Sequence, residues 1–218
     1  MGSKYPLGAD SDELALEEGM RRVEVRTQST PELIDLASLR NDFRLALVFL
    51  DSYLGSAIES DGPPPTAIDA LWMSAVYMYG RAFSNGQRHA GRANTDHLGP
   101  GAAEMHEYFL GVRNKYLAHA VNGFEKGTVF ADLYDPARAA GIARVGELHT
   151  SLVRLSREAA EALRQLCRTQ VEALTRRIDI LHRAVADELV ELGASATYAL
   201  ADFVPPTLDG ANPLSRRT

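Results

Sequence analysis

Apolar residues recur along this chain at two spacings, which divide it into several helices and one ribbon. Leu36, Leu39, Phe43, Leu47, Leu50, Leu54 and Ala57 follow one another at steps of three and four, as on one face of a helix. Thr30-Pro31-Glu32 marks the start, with Thr as N-cap, Pro at the first helical position and an acid in the first turn. The pattern predicts about seven turns, with Arg40, Arg44 and Asp51 pointing elsewhere. Asp61-Gly62-Pro63-Pro64-Pro65 stops this helix, because consecutive prolines cannot continue one. Thr66 with Asp69 then resembles a capping box ahead of Ile68 to Phe83. That segment is apolar nearly all round (Leu71, Trp72, Val76, Met78, Tyr79), which suits a central or partner-facing helix.

From Ser84 to Gly101 the chain is polar and glycine-rich, with Asn85-Gly86 and Gly99-Pro100-Gly101 as breakers, and a long loop is expected. Loops of this length in compact domains tend to be functional or mobile. A further helix is predicted from about Ala102 to Ala120, ending before Asn122-Gly123. Thr128 to Tyr134 and Arg144 to Leu152 are β-compatible and separated by Asp135-Pro136 and Gly141, the pattern of a two-stranded ribbon. Ser156 caps a last helix that carries Leu163, Leu166, Val171, Leu174, Ile178, Leu181, Val185, Leu189 and Leu192 on one side and stops at Gly193. Such a helix is about 55 Å long, more than a small bundle requires, so it is expected to reach a partner, most simply a second copy. The acidic stretch Asp10 to Arg26 is expected to be another amphipathic helix. Residues after Phe203, with Pro205-Pro206 and Ser215-Arg216-Arg217, read as a frayed tail. The expected organisation is one mainly all-α domain over 1–218, with core helices at 30–121, a β-ribbon insert at 122–155, a long helix at 156–193 and a flexible tail at 204–218.

Composition narrows the function classes only a little. The 218 residues are 45% hydrophobic and 24% charged, ordinary for a globular protein. With 23 Lys plus Arg against 29 Asp plus Glu, the net charge of -6 excludes a broadly basic nucleic-acid coat but leaves room for a local positive site. The single Cys167 excludes a disulfide framework within the chain and a Cys-rich zinc site. It fits a reducing cytoplasm, and a place beside the core stripe of the last helix. No apolar run approaches the roughly 18 residues of a membrane helix, and Met1 to Asp10 lacks the apolar core of a signal peptide. A cytoplasmic protein without a membrane partner is expected.

One segment adds chemistry. On a helical wheel, Met105, Phe109, Val112, Tyr116 and His119 share an arc, with Leu110, Arg113 and Leu117 beside it. Glu104, Glu107, Asn114 and Lys115 occupy the polar side. Arg113 and His119 are therefore expected inside a buried stripe, where an ionised group is expensive unless partnered. In the plain structural alternative Arg113 pairs with a buried carboxylate, and His119 donates to a backbone carbonyl near the helix end.

Arg113-Asn114-x-x-x-x-His119 resembles the R-x(4–6)-H motif of HEPN (higher eukaryotes and prokaryotes nucleotide-binding) domains. The resemblance covers Pro31 to Val121 plus the long helix; the ribbon at Thr128 to Leu152 departs from it. It implies a HEPN-like helical bundle that acts as a homodimer and cuts RNA without metal or other cofactor, as a toxin or phage-defence effector with a possible antitoxin protein as partner. It assigns the scissile phosphate to Arg113, the general base or acid to His119 and an orienting role to Asn114. The chemistry suits these side chains. An imidazole with an ordinary pKa near 6.5 can take the proton of an attacking 2′-OH, and a guanidinium can hold a phosphorane with two parallel hydrogen bonds. The alternative is a catalytically inactive, RNA- or nucleotide-binding dimer acting as a scaffold or antitoxin-partnered protein, which the acidic charge balance favours.

Weaker candidates surround this motif. Tyr79, Arg81, Phe83 and Arg88 form an aromatic and basic cluster suited to RNA contact, with Lys115 as a further cation. His89, His97, His106 and His119, with Asp96 and Glu107, raise the question of a metal. No H-E-x-x-H spacing occurs, since Leu110 stands where the second His would fall, and no metal is expected.

Overall fold

The computed structural model describes residues 16, 18–56, 66–84, 88, 91, 93–119, 123, 125–135, 137, 141–151 and 154–205. Its elements run α1 (Thr30–Leu54), α2 (Thr66–Ala82), α3 (Pro100–Gly111), a π-helical segment (Val112–Leu117), β1 (Glu125–Leu133), β2 (Ile142–Ser151), α4 (Arg157–Leu192) and α5 (Ala194–Tyr198). The fold is mainly helical, as expected, with one antiparallel hairpin.

Helix α1 is the centre, packed between α2 and α4. Leu36, Leu39, Phe43, Ala46, Leu50 and Tyr53 face inward at helical spacing and meet Trp72, Val76 and Tyr79 of α2 and Leu163, Cys167 and Ile178 of α4. The expected cysteine position is thereby met, since Cys167 is a buried free thiol. Ser29 precedes α1, so Thr30 opens the helix instead of capping it, and the helix ends at Leu54, short of Ala57. Residues 57–65, which hold the expected Pro-rich stop, lie outside the described residues, as does the Thr66 side chain of the expected capping box.

The Ser156 hydroxyl accepts from the Ala159 amide and caps α4 as expected, and Gly193 ends it at φ 88, a left-handed backbone that glycine adopts without a side-chain clash. Buried residues of α4 run from Ala160 to Leu181; beyond Leu181 none is buried. Val185, Leu189 and Leu192, expected on the core stripe, therefore stand outside the core, with Leu192 about half exposed.

Two further expectations are corrected. Within the described part of the expected opening helix, 18–26 is not helical: it is a turn followed by extended chain. Val23 bridges Asp202, and Arg21 donates to the Tyr198 and Leu200 carbonyls while pairing with Asp202. The alternation of acidic and apolar residues there serves a contact with the far end of the chain, so helix propensity is overridden. The segment expected to be helical from Ala102 to Ala120 starts at Pro100, leaves α-geometry at Val112 and ends at Leu117.

The hairpin pairs Glu125 with Ser151 through Asp132 with Arg144, with a bulge at Asp132/Leu133. No residue of either strand is buried. One face carries Val129, Ala131, Leu133, Ile142 and Val145; on the other, Phe130 lies over Gly146 with the Arg144 guanidinium 5.5 Å from its ring centroid. The expected tail beyond 205 lies outside the described residues.

Candidate functional site

The loop between α2 and α3 is fastened at three described points. Arg88 Nη2 donates to Asp42 Oδ2 at 2.8 Å, the Gly91 amide to Asp35 Oδ2 at 3.2 Å, and Gln170 Nε2 to the Asn94 carbonyl at 2.9 Å. Gly91 is required for this approach, because a Cβ there would lie 2.8 Å from Asp35 Cβ and 2.9 Å from Leu36 Cδ2. Asn85, Gly86 and His89 lie outside the described residues.

Asp42 of α1 is 1% exposed and takes two guanidiniums, Arg81 on Oδ1 and Arg88 on Oδ2. The hydrogen bond to Asp42 raises the Arg81 pKa further above its ordinary value. A buried carboxylate held this way needs both donors, and they link α1, α2 and the loop. Arg81 and Arg88, expected as RNA contacts, are thus placed on a buried acid, although the Arg81 side chain remains 44% exposed.

Tyr79, expected to stack a base, is corrected by its surroundings. It is fully buried, with Phe43 and Phe83 rings at 5.7 and 5.2 Å, and offers no free face. Its hydroxyl and His106 Nδ1 are 2.7 Å apart; with the phenol donating, the ring proton of the imidazole lies on Nε2, 4.0 Å from Glu107 Oε1. Burial raises the Tyr79 pKa and lowers that of His106. The pair is polar, buried and neutral.

The motif begins on the π-helical segment, which carries Arg113 and Asn114. Such i→i+5 turns have a wider, less favourable geometry than an α-helix and occur mostly as single turns, frequently at functional sites. Apolar contacts hold this one: Val112 is fully buried, and Tyr116 stacks on Trp72 at 6.1 Å with planes 6° apart. Arg113 lies between them against α2, its Cγ so close to Gly80 that a Cβ there would sit 2.7 Å away. Its Nη1 donates to Asn114 Oδ1 at 2.7 Å, its guanidinium carbon lies 5.9 Å from the Tyr77 ring centroid, and its Nε is buried with no hydrogen-bond partner. Among the described residues Arg113 forms no ion pair, so none of the described carboxylates is the partner that the plain structural alternative gave it.

Asn114, Lys115 and His119 are exposed. His119 stands two residues beyond the π-segment, outside any helix, and the buried-stripe position that a uniform wheel gave it is corrected. The structure thus places Arg113 and Asn114 in direct contact; His119 is exposed and follows beyond Tyr116 and Leu117, which are half-buried against the core. Sequence reasoning missed Tyr77, Gly80 and Asp42. A signal existed for the last: Asp42 falls three residues after Leu39 and four before Ala46, on the apolar stripe itself.

A groove of about 370 Å³ is lined by Phe49, Met73, Ser74, Tyr77, Met78 and Leu117, and the Tyr77 ring that borders it is the one under the Arg113 guanidinium. Among the described residues no three His, Cys, Asp or Glu side chains gather as metal ligands, and no helix is long and apolar enough to cross a membrane. No protein-family model, curated protein or solved structure matches the chain.

Proposed function

We propose that this protein is a HEPN-type, metal-independent endoribonuclease, acting as a homodimer on single-stranded or looped RNA in the cytoplasm. The observation that carries the reading is Arg113: a partly buried guanidinium, held in place by Asn114 and Tyr77, with no counter-charge among the described residues. A cation kept in this state is costly unless a ligand supplies the anion, and a phosphate does so. In cleavage the 2′-oxygen bonds to phosphorus as the 5′-oxygen leaves. The phosphorane between them carries extra negative charge, which Arg113 stabilises. The exposed imidazole of His119 takes the 2′-OH proton or, when protonated, delivers one to the leaving 5′-oxygen, with water exchanging the proton at the other oxygen, and Asn114 fixes the guanidinium plane. The last turns of α4, with no buried side chain, are available to a second copy. Service as a toxin or defence effector, with an antitoxin protein as partner, belongs to the same proposal.

The test is a mixed RNA pool incubated in EDTA with wild type and with His119→Ala. Cleavage is expected to fall at least about 100-fold while helicity and sedimentation mass stay unchanged. Equal cleavage by the variant ends the assignment. The net charge of -6 favours a second reading, a silent RNA- or nucleotide-binding dimer serving as a scaffold. That reading predicts salt-sensitive RNA binding by wild type with no products at all.

A further inference from the structure

Resting on the reading of Arg113 as a phosphate-holding group, we propose that the groove between α1, α2 and the π-segment is a nucleobase subsite, in which Tyr77 stacks one unpaired base of the RNA next to the phosphate on Arg113. Tyr77 is two residues from the fully buried Tyr79 yet 49% exposed. Its ring lies beneath the Arg113 guanidinium and also forms a wall of the groove, so one aromatic side chain joins the cation to the cavity. The remaining lining, Phe49, Met73, Met78 and Leu117, is apolar; Ser74 supplies a hydroxyl for the polar edge of a base.

A volume of about 370 Å³ lies near the lower limit of small-molecule sites, which suits one nucleotide better than a protein segment. Charge decides the occupant. An apolar peptide or lipid chain would bring no anion to the Arg113 guanidinium on the Tyr77 ring, whereas a nucleotide brings an anion and a flat apolar ring together. Base stacking on an aromatic residue tolerates any base, so the subsite favours unpaired RNA without fixing a sequence.

The experiment compares two probes of equal length and charge, a 2′-O-methyl RNA decamer of mixed sequence and a decamer of the same backbone without bases. The 2′-O-methyl group blocks attack, so binding is read without turnover. Wild type is expected to bind the base-bearing probe about tenfold more tightly than the abasic one. Tyr77→Ala should remove most of that preference and Tyr77→Phe should keep it. Equal wild-type binding to both probes, or a preference that survives Tyr77→Ala, overturns the subsite. A drop in sedimentation mass for Tyr77→Ala also overturns it, and assigns the groove to a subunit interface. RNA cleavage by wild type is scored separately: base-dependent binding without cleavage keeps the subsite and removes the ribonuclease, and cleavage without base dependence does the reverse.

Discussion

Two arginine sites lie on neighbouring turns of the same fold and treat charge in opposite ways. Around Asp42, one carboxylate with 1% exposure receives Arg81 and Arg88, and each of its oxygens has a guanidinium partner. Around Gly80, Arg113 is pressed against α2 with an amide, an aromatic ring and no carboxylate among the described residues. The first arrangement is complete without a ligand. The second leaves a buried Nε without a hydrogen-bond partner, one of several such side-chain atoms in the structure, and it is the one that lies in the motif.

The contrast makes stability and activity separable. Asp42→Ala is expected to cost about 3 kcal/mol in urea unfolding with an unchanged m-value, because two guanidiniums lose their shared anion and the loop loses a fastening. Arg113→Met, similar in length and free of charge, should shift stability by less than about 0.5 kcal/mol, or raise it, while RNA cleavage disappears. A loss below about 1 kcal/mol for Asp42→Ala, or a larger loss for Arg113→Met than for Asp42→Ala, breaks the comparison.

The Tyr79–His106 pair sharpens it, as a buried polar contact that carries no charge. Burial holds the His106 pKa below its usual 6.5, so the folded state takes up fewer protons than the unfolded chain as acid is added. Stability present above that pH is therefore lost as pH falls from 6.5 toward the lowered folded value. The slope is at most about 1.4 kcal/mol per pH unit. Thermal unfolding of wild type and His106→Gln across pH 7 to 5 should show the steeper decline in wild type; parallel curves would place the acid sensitivity elsewhere.

The smallest expected loss of cleavage comes from Gly80→Ala. Alanine improves helix propensity by up to about 1 kcal/mol, but its Cβ would displace the Arg113 side chain. The melting temperature should move little, while cleavage falls about tenfold, the cost of a small misplacement of a phosphate-holding group. Full activity in this variant would show that the position of Arg113 is unimportant.

Much of the fold was legible because periodicity reports burial directly. The stripe from Leu36 to Leu54 and the all-round apolar α2 followed from spacing, and the Ser156 cap and the two β-compatible runs from residue type and turn signals. What escaped depended on partners distant in sequence. Val23 meets Asp202, a contact that residues 18–26 do not advertise, and an amphipathic pattern there pointed to a helix. The motif escaped in a different way. A wheel drawn at a fixed angle assumes that α-geometry continues, and the π-segment breaks that assumption at Val112, so His119 is turned out of the stripe. In α2 the same spacing sets Tyr79 on the stripe of Trp72, Ala75 and Val76 and turns Tyr77 away from it, a difference hidden in a segment that is apolar nearly all round.

The clasp between residues 21–24 and 200–203 has a topological consequence. The Glu24 amide donates to the Ala201 carbonyl and the Phe203 amide to the Arg22 carbonyl, so two stretches nearly a whole domain apart in sequence run side by side. The backbone thereby describes a closed circuit in which the covalent order of the helices is only one of several that would trace the same path. Moving the break in that circuit to the exposed tip of the hairpin, at Gly141, would leave every helix with its present neighbours.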